Sequence, residues 1–155
     1  MSRHQVNATV PYTPQQMYDL VIDMDSYPQF LPWCVQARKY EVTDTRFMAE
    51  MTISFKGLRE TFRTVDLLEP GRSIRISLHS GPFKHLENSW VFVPVPEGTR
   101  VEFSIDFKFK SKLLELTMGP VFSTVTQRMV TAFRQRADIV YGPQPSSTTQ
   151  GGTPP

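Results

Sequence analysis

The strongest constraint on how this chain folds is an apolar seam near its C-terminus: Met118, Phe122, Val125, Met129, Phe133, Ala137 and Val140. Steps of three and four residues place every member on one face of a helix. Pro120 suits a first helical turn, where its missing N–H costs nothing, and Gly142-Pro143 is a stop signal. The spacing therefore predicts one long helix over residues 120–141, with Thr124, Arg128, Thr131, Gln135 and Asp138 on the other side. A helix this apolar on one face needs a broad surface to lie on. A chain of 155 residues, 39% apolar and 21% charged, is long enough to supply it within one domain.

That surface is a run of strands. Residues 3–12 alternate, with Val6, Ala8 and Val10 on one face. Thr13-Pro14 then opens a helix, as N-cap and first helical residue, with Met17, Leu20, Val21 and Met24 as its buried stripe. Pro28 and Pro32 forbid a long helix over residues 26–34, leaving a short helical turn or an ordered loop. From Val35 to Lys110 the period is two. Phe47, Ala49, Met51, Ile53 and Phe55 share one face, and Val101, Phe103, Ile105, Phe107 and Phe109 another. Turns at Lys56-Gly57, Pro70-Gly71, Gly81-Pro82 and Glu97-Gly98 separate the strands. The expectation is an antiparallel meander of about seven strands, dry on one face and wet on the other. A twisted sheet of that size curls, and the C-terminal helix is its cover. Residues 143–155 hold no large apolar side chain and are expected to form a disordered tail to a single domain over residues 1–142.

The inward set includes Phe47, Met51, Phe55, Phe62, Trp90, Phe92, Phe103, Phe107, Phe109, Phe122, Met129 and Phe133. Aromatics and methionines fill a core or line an apolar cavity, and periodicity does not separate the two.

Composition narrows the function. A formal charge of +2 does not by itself indicate nucleic acid. A single cysteine, Cys34, excludes an internal disulfide and fits a reducing compartment, and the sequence holds no run of roughly 20 apolar residues. With no signal peptide in its opening residues, the chain reads as cytoplasmic. Cys34 is a nucleophile only beside a base, and His4, His79 and His85 have no spacing that brings one to it. No HxxxH, CxxC or carboxylate cluster suggests a metal. Glu60 shares the parity of Leu58 and Phe62, so either a turn shifts the register or its carboxylate sits at the mouth of a cavity. Arg59, Arg63, Arg72, Arg75 and Lys84 lie among Glu50, Asp66 and Glu69. A solvated face of mixed charge is the simpler reading, and contact with anionic headgroups or ribosomal RNA the functional one.

Several motifs carry a resemblance. Val10-Pro-Tyr-Thr13, Tyr27-Pro-Gln-Phe-Leu-Pro-Trp-Cys34, Ser80-Gly-Pro-Phe-Lys84, Trp90-Val-Phe92, Phe103-Ser-Ile-Asp-Phe-Lys-Phe109 and Met129-Val-Thr-Ala-Phe133 occur in that order, followed by Arg136-Ala137 and Tyr141-Gly142. Over residues 3–142 the chain resembles the START-like family that joins mitochondrial coenzyme Q-binding proteins to bacterial ribosome-association toxins (RatA). The resemblance implies an α+β helix-grip fold, a curved antiparallel sheet wrapped around the long C-terminal helix. It implies a non-catalytic carrier or chaperone that binds ubiquinone or a similar isoprenoid lipid in support of respiration. Its rival implication is association with the large ribosomal subunit. Without a transit peptide, the chain reads as a bacterial member.

The candidate cavity residues are Phe30, Trp33, Phe47, Met51, Phe55, Phe62, Trp90, Phe92, Phe103, Phe107, Phe122, Val125, Met129 and Phe133. A carrier of an insoluble lipid must collect it at a membrane. The candidate contacts are Tyr27 and Leu31, on a segment that is either a membrane-touching lid or a plug for one end of the sheet, and Phe83 and Lys84, after the Gly81-Pro82 break. The expected partners are thus a quinone, a transient membrane surface and the large ribosomal subunit, with no DNA.

Overall fold

The computed structural model describes residues 2–55 and 57–142. Among them, strands β1 (Ser2–Val10), β2 (Cys34–Tyr40), β3 (Arg46–Phe55), β4 (Leu58–Glu69), β5 (Ser73–Ser80), β6 (Phe83–Val95) and β7 (Gly98–Phe109) form one sheet. Its order is β1-β7-β6-β5-β4-β3-β2 and every pairing is antiparallel. The first two strands therefore sit at opposite edges, and the segment between them crosses the sheet. That segment is α1 (Pro14–Ile22), a 3₁₀ turn at Met24–Ser26, and α2 (Tyr27–Phe30). Thr13 caps α1 by accepting from the Gln16 N–H, while the Gln16 side chain accepts from the Thr13 N–H.

Three irregularities curl the sheet. Register shifts at Cys34/Gln36, Arg63/Thr64 and Phe83/His85 add local twist, with the extra residue on β2, β5 and β6 respectively. The concave face is covered by α1 and by the C-terminal helices.

Those helices depart from the single rod expected over residues 120–141. The structure has α3 (Lys112–Thr117), α4 (Gly119–Gln127) and α5 (Met129–Tyr141). Arg128 separates the last two, at φ −100° and ψ 1°, and its N–H donates to the Val125 carbonyl three residues back. The cause is local. Thr124, Val125 and Thr126 are three β-branched residues in succession, and the hydroxyls of Thr124 and Thr126 donate to the Pro120 and Ser123 carbonyls. The break re-phases the seam. Thr126 and Val130 turn inward to be buried, Met129 is half-buried, and Val140 is 48% exposed.

The core follows the period-two pattern. Phe47, Ala49, Ile53, Phe103, Phe107 and Phe109 are buried, with Phe83, Phe107, Phe109 and Phe122 packed into one aromatic cluster of mostly edge-to-face and tilted contacts. At the other end Tyr27, Trp90, Phe103 and Phe133 form a second. The expected tail, residues 143–155, lies outside the described residues.

Candidate functional site

Between the two aromatic clusters the core does not close. A cavity of about 80 Å³ remains between the sheet and helices α1, α4 and α5. It exceeds what one water needs and is smaller than a cavity of about 150 Å³ that holds benzene. Nine of the candidate residues border it: Trp33, Phe47, Met51, Phe62, Trp90, Phe103, Phe122, Met129 and Phe133. Met24 joins Met51 and Met129 in the wall, so three unbranched thioether chains set the cavity's size.

Five candidates lie elsewhere. Phe107 is fully buried and backs Phe122, with ring centroids 4.7 Å apart, instead of facing the space. Phe92 packs beneath Tyr18 of α1. Phe55 is at the end of β3, 38% exposed, and borders a narrow cleft with Val125 and Met118. Val125 also faces an outer groove that it shares with Phe30, since Phe122 and Thr126, four residues apart, are the α4 residues on the cavity side. Glu60, half-buried opposite Ile53 on the β3–β4 hairpin, is outside the cavity wall.

The proposed membrane contacts need a larger correction. Tyr27 is 8% exposed and lines the cavity, its hydroxyl donating to the Val21 carbonyl. Leu31 and Phe83 are buried as completely as any core residue. Lys84 alone of the four is exposed. Residues 26–34 plug one end of the sheet, because the prolines shape the segment so that its apolar side chains turn inward. The outer groove, about 620 Å³, runs between this plug and α5, and Trp33 and Met129 border both it and the cavity.

The residue that sequence reasoning missed is Asp66. It belongs to no solvated face: it is 4% exposed and stands in the cavity wall beside Thr64, whose hydroxyl donates to Oδ1 at 2.6 Å. Burial pushes its carboxyl group up to about 7, against a smaller opposing effect of the Thr64 hydrogen bond. Parity was the available signal, since Phe62, Thr64, Asp66 and Leu68 fall on one face of β4 and all four are buried. The neighbouring arginines conform better to expectation. Glu50 accepts from Arg38 and Arg63 at 3.0 and 2.8 Å, and those bonds hold its carboxylate below the usual range. Among the described residues Arg59, Arg72 and Arg75 are exposed and form no ion pair.

Nucleophilic chemistry finds little support in this geometry. Cys34 is buried, its thiol pushed up to about 11 by that burial, and it donates to the Gln36 carbonyl. His79 is exposed, His85 lies 3.7 Å from Asp106, and His4 stacks on Phe107. Among the described residues no three His, Cys, Asp or Glu side chains converge to hold a metal, and no helix is long and apolar enough to cross a membrane.

A curved seven-stranded antiparallel sheet gripping C-terminal helices around an apolar cavity defines the START-like helix-grip class. Residues 10–134 match the polyketide cyclase/dehydrase and lipid transport family, and the chain belongs to it. It is 45% identical over 135 residues to the ribosome association toxin RatA of Escherichia coli (strain K12), covering 86% of this chain and 85% of that one. It is 30% identical over 138 residues to the mitochondrial coenzyme Q-binding protein COQ10 homolog B of Xenopus laevis, covering 86% of this chain and 57% of that one. The solution structure of an 18 kDa protein from Caulobacter crescentus is 38% identical, with a TM-score of 0.73 over 92% of this chain and all of that one. The two named relatives are designated for ribosome association and for coenzyme Q binding, whereas the family's description also includes cyclases and dehydrases.

Proposed function

We propose that the chain is a non-catalytic carrier of an isoprenoid quinone of the ubiquinone type, with the ring in the inner cavity and the tail in the outer groove. The observation that carries this reading is the inner cavity, whose wall is apolar apart from a few polar groups and shares Trp33 and Met129 with the groove. At about 80 Å³ the space is small for a substituted ring. Met24, Met51 and Met129 supply the adjustment, since methionine changes rotamer at little cost. The name of the Xenopus laevis relative supports the ligand class. The test is organic extraction of protein purified from a quinone-producing host, followed by mass spectrometry. Quinone recovered in stoichiometric proportion from wild type and reduced in Phe122→Trp, which fills the cavity, is the expected result. A ligand-free wild type overturns the reading.

A second reading has its own support. The similarity to a protein named for ribosome association extends over most of both chains, and Arg59, Arg72 and Arg75 leave cationic groups unpaired among the described residues. Binding to the large ribosomal subunit through those arginines predicts co-sedimentation that weakens steeply with salt, as phosphate contacts release counterions. Arg72→Glu with Arg75→Glu abolishes it under this reading and leaves quinone recovery unchanged.

A further inference from the structure

The polar groups of the cavity wall are unequal. Asn88 spends an amide hydrogen on the Ser104 carbonyl at 2.7 Å, Thr126 its hydroxyl on the Ser123 carbonyl at 2.9 Å, and Tyr27 its hydroxyl on the Val21 carbonyl. Each thereby serves the fold. Asp66 differs. Among the described residues Thr64 is its hydrogen-bond partner, through Oδ1, and no cation pairs with it. A lone carboxylate 4% exposed among Phe47, Ile74 and Trp90 is costly as an anion and inexpensive as a neutral acid.

We propose that Asp66 is the hydrogen-bonding anchor of this cavity, its carboxylic acid donating from Oδ2 to a carbonyl oxygen at the leading end of the ligand. The inference rests on the cavity holding an apolar ligand and adds what selects that ligand: a carbonyl-tipped molecule, such as a quinone, over a hydrocarbon of the same shape. Thr64 donates to Oδ1, which leaves the acid proton to Oδ2 of a side chain that lines the cavity. The anchor works only while it is protonated. The titratable neighbours leave that state undisturbed. Tyr27 and Cys34 are both raised by burial and stay neutral where Asp66 titrates. The Lys39 ammonium is held by the Ile22 carbonyl at 2.9 Å and lies over the Phe47 ring, and Asp23 follows Ile22. The wall residues contributed by α4, α5, β3, β5, β6 and β7 do not titrate. Carbonyl binding is therefore strongest below pH 7 and fades above it.

The test uses two probes, a dimethoxybenzoquinone bearing one isoprenoid unit and the matching prenylated dimethoxybenzene without carbonyls. Binding is read by quenching of Trp33 and Trp90, both in the wall. Wild type is expected to prefer the quinone about tenfold at pH 5.5, the worth of one well-made hydrogen bond, and to lose the preference at pH 8.5. Asp66→Asn, which keeps a donor, retains it at both values, and Asp66→Leu binds the two probes alike. A preference that survives in folded Asp66→Leu, or a wild type that never discriminates, overturns the anchor and leaves the carrier reading standing. A pH dependence that persists in Asp66→Asn overturns its titration as the cause. Failure of folded wild type to bind either probe overturns both readings.

Discussion

At the scale of single residues, Asp66 makes the protein's stability depend on pH in an unusual direction. An unfolded aspartate releases its proton near pH 4, whereas the folded one holds it to about 7. Between those values the native state binds the extra proton, so stability falls as pH rises from 4 to 7 and is level beyond. A shift of about three pH units corresponds to about 4 kcal/mol. Asp66→Asn carries no such charge. Denaturant unfolding at a series of pH values is expected to show the variant a few kcal/mol more stable than wild type at pH 8 and nearly equal to it below pH 4. A wild type with no such slope would place the carboxylate in a more polar setting than its burial implies. Asp66 also marks where reading by charge misleads. The charged residues near it in sequence suggested a wet face, yet parity with Phe62 and Leu68 put it on the dry one.

At the scale of elements, α5 is tied to the first turn of the chain by one tyrosine. Tyr12 is 1% exposed, and its hydroxyl donates to the Asp138 carboxylate and, at 3.3 Å, to the Gly142 carbonyl. Its own carbonyl accepts from the Thr99 hydroxyl at 2.6 Å, so β1, β7 and α5 meet there. Burial and the Asp138 carboxylate push its phenol up to about 12, which keeps it a donor across the working range. Tyr12→Phe is expected to cost about 2 kcal/mol, typical for a hydrogen bond to a charged acceptor. Thermal unfolding checks this, and an unchanged midpoint would mean that the contact contributes nothing. The hairpins were legible because alternation and glycine turns agree, as at Gly71 with φ +72° and Gly57 with φ +84°. The helix break was not. Neither proline nor glycine lies between Val121 and Tyr141, and only the β-branched run hinted at it. The cavity wall was readable on both sides, through Phe122, Met129 and Phe133 of the helices and Phe47, Met51, Phe62, Trp90 and Phe103 of the sheet, while Val125 turned to the outer groove and Phe55, Phe92 and Phe107 packed elsewhere.

At the scale of the whole molecule, one edge of the sheet is completed by β1 meeting β7, from Ser2 opposite Phe107 to Val10 opposite Thr99. Gly98 makes the junction possible. Its φ is +141°, and a Cβ there would press on the Val10 carbonyl oxygen and on Pro11. Both the conformation and the clash argue that Gly98→Ala destabilises by more than about 1 kcal/mol. Denaturant midpoints measure it, and a change below 0.5 kcal/mol, the range of about ±0.5 expected of an inconsequential surface substitution, would show that the junction yields. The register has a further consequence for the order of assembly. Roughly 90 residues separate Val10 from its partner on β7, and at about 5–20 residues per second a nascent chain takes some 5–20 s to deliver them. For that interval β1 lacks its β7 partner, while hairpins from β2 to β6 form from neighbours already synthesised. Of the seven strands β1 is thus synthesised before the others and seated last, and an interrupted translation product ending before Gly98 carries it unpaired.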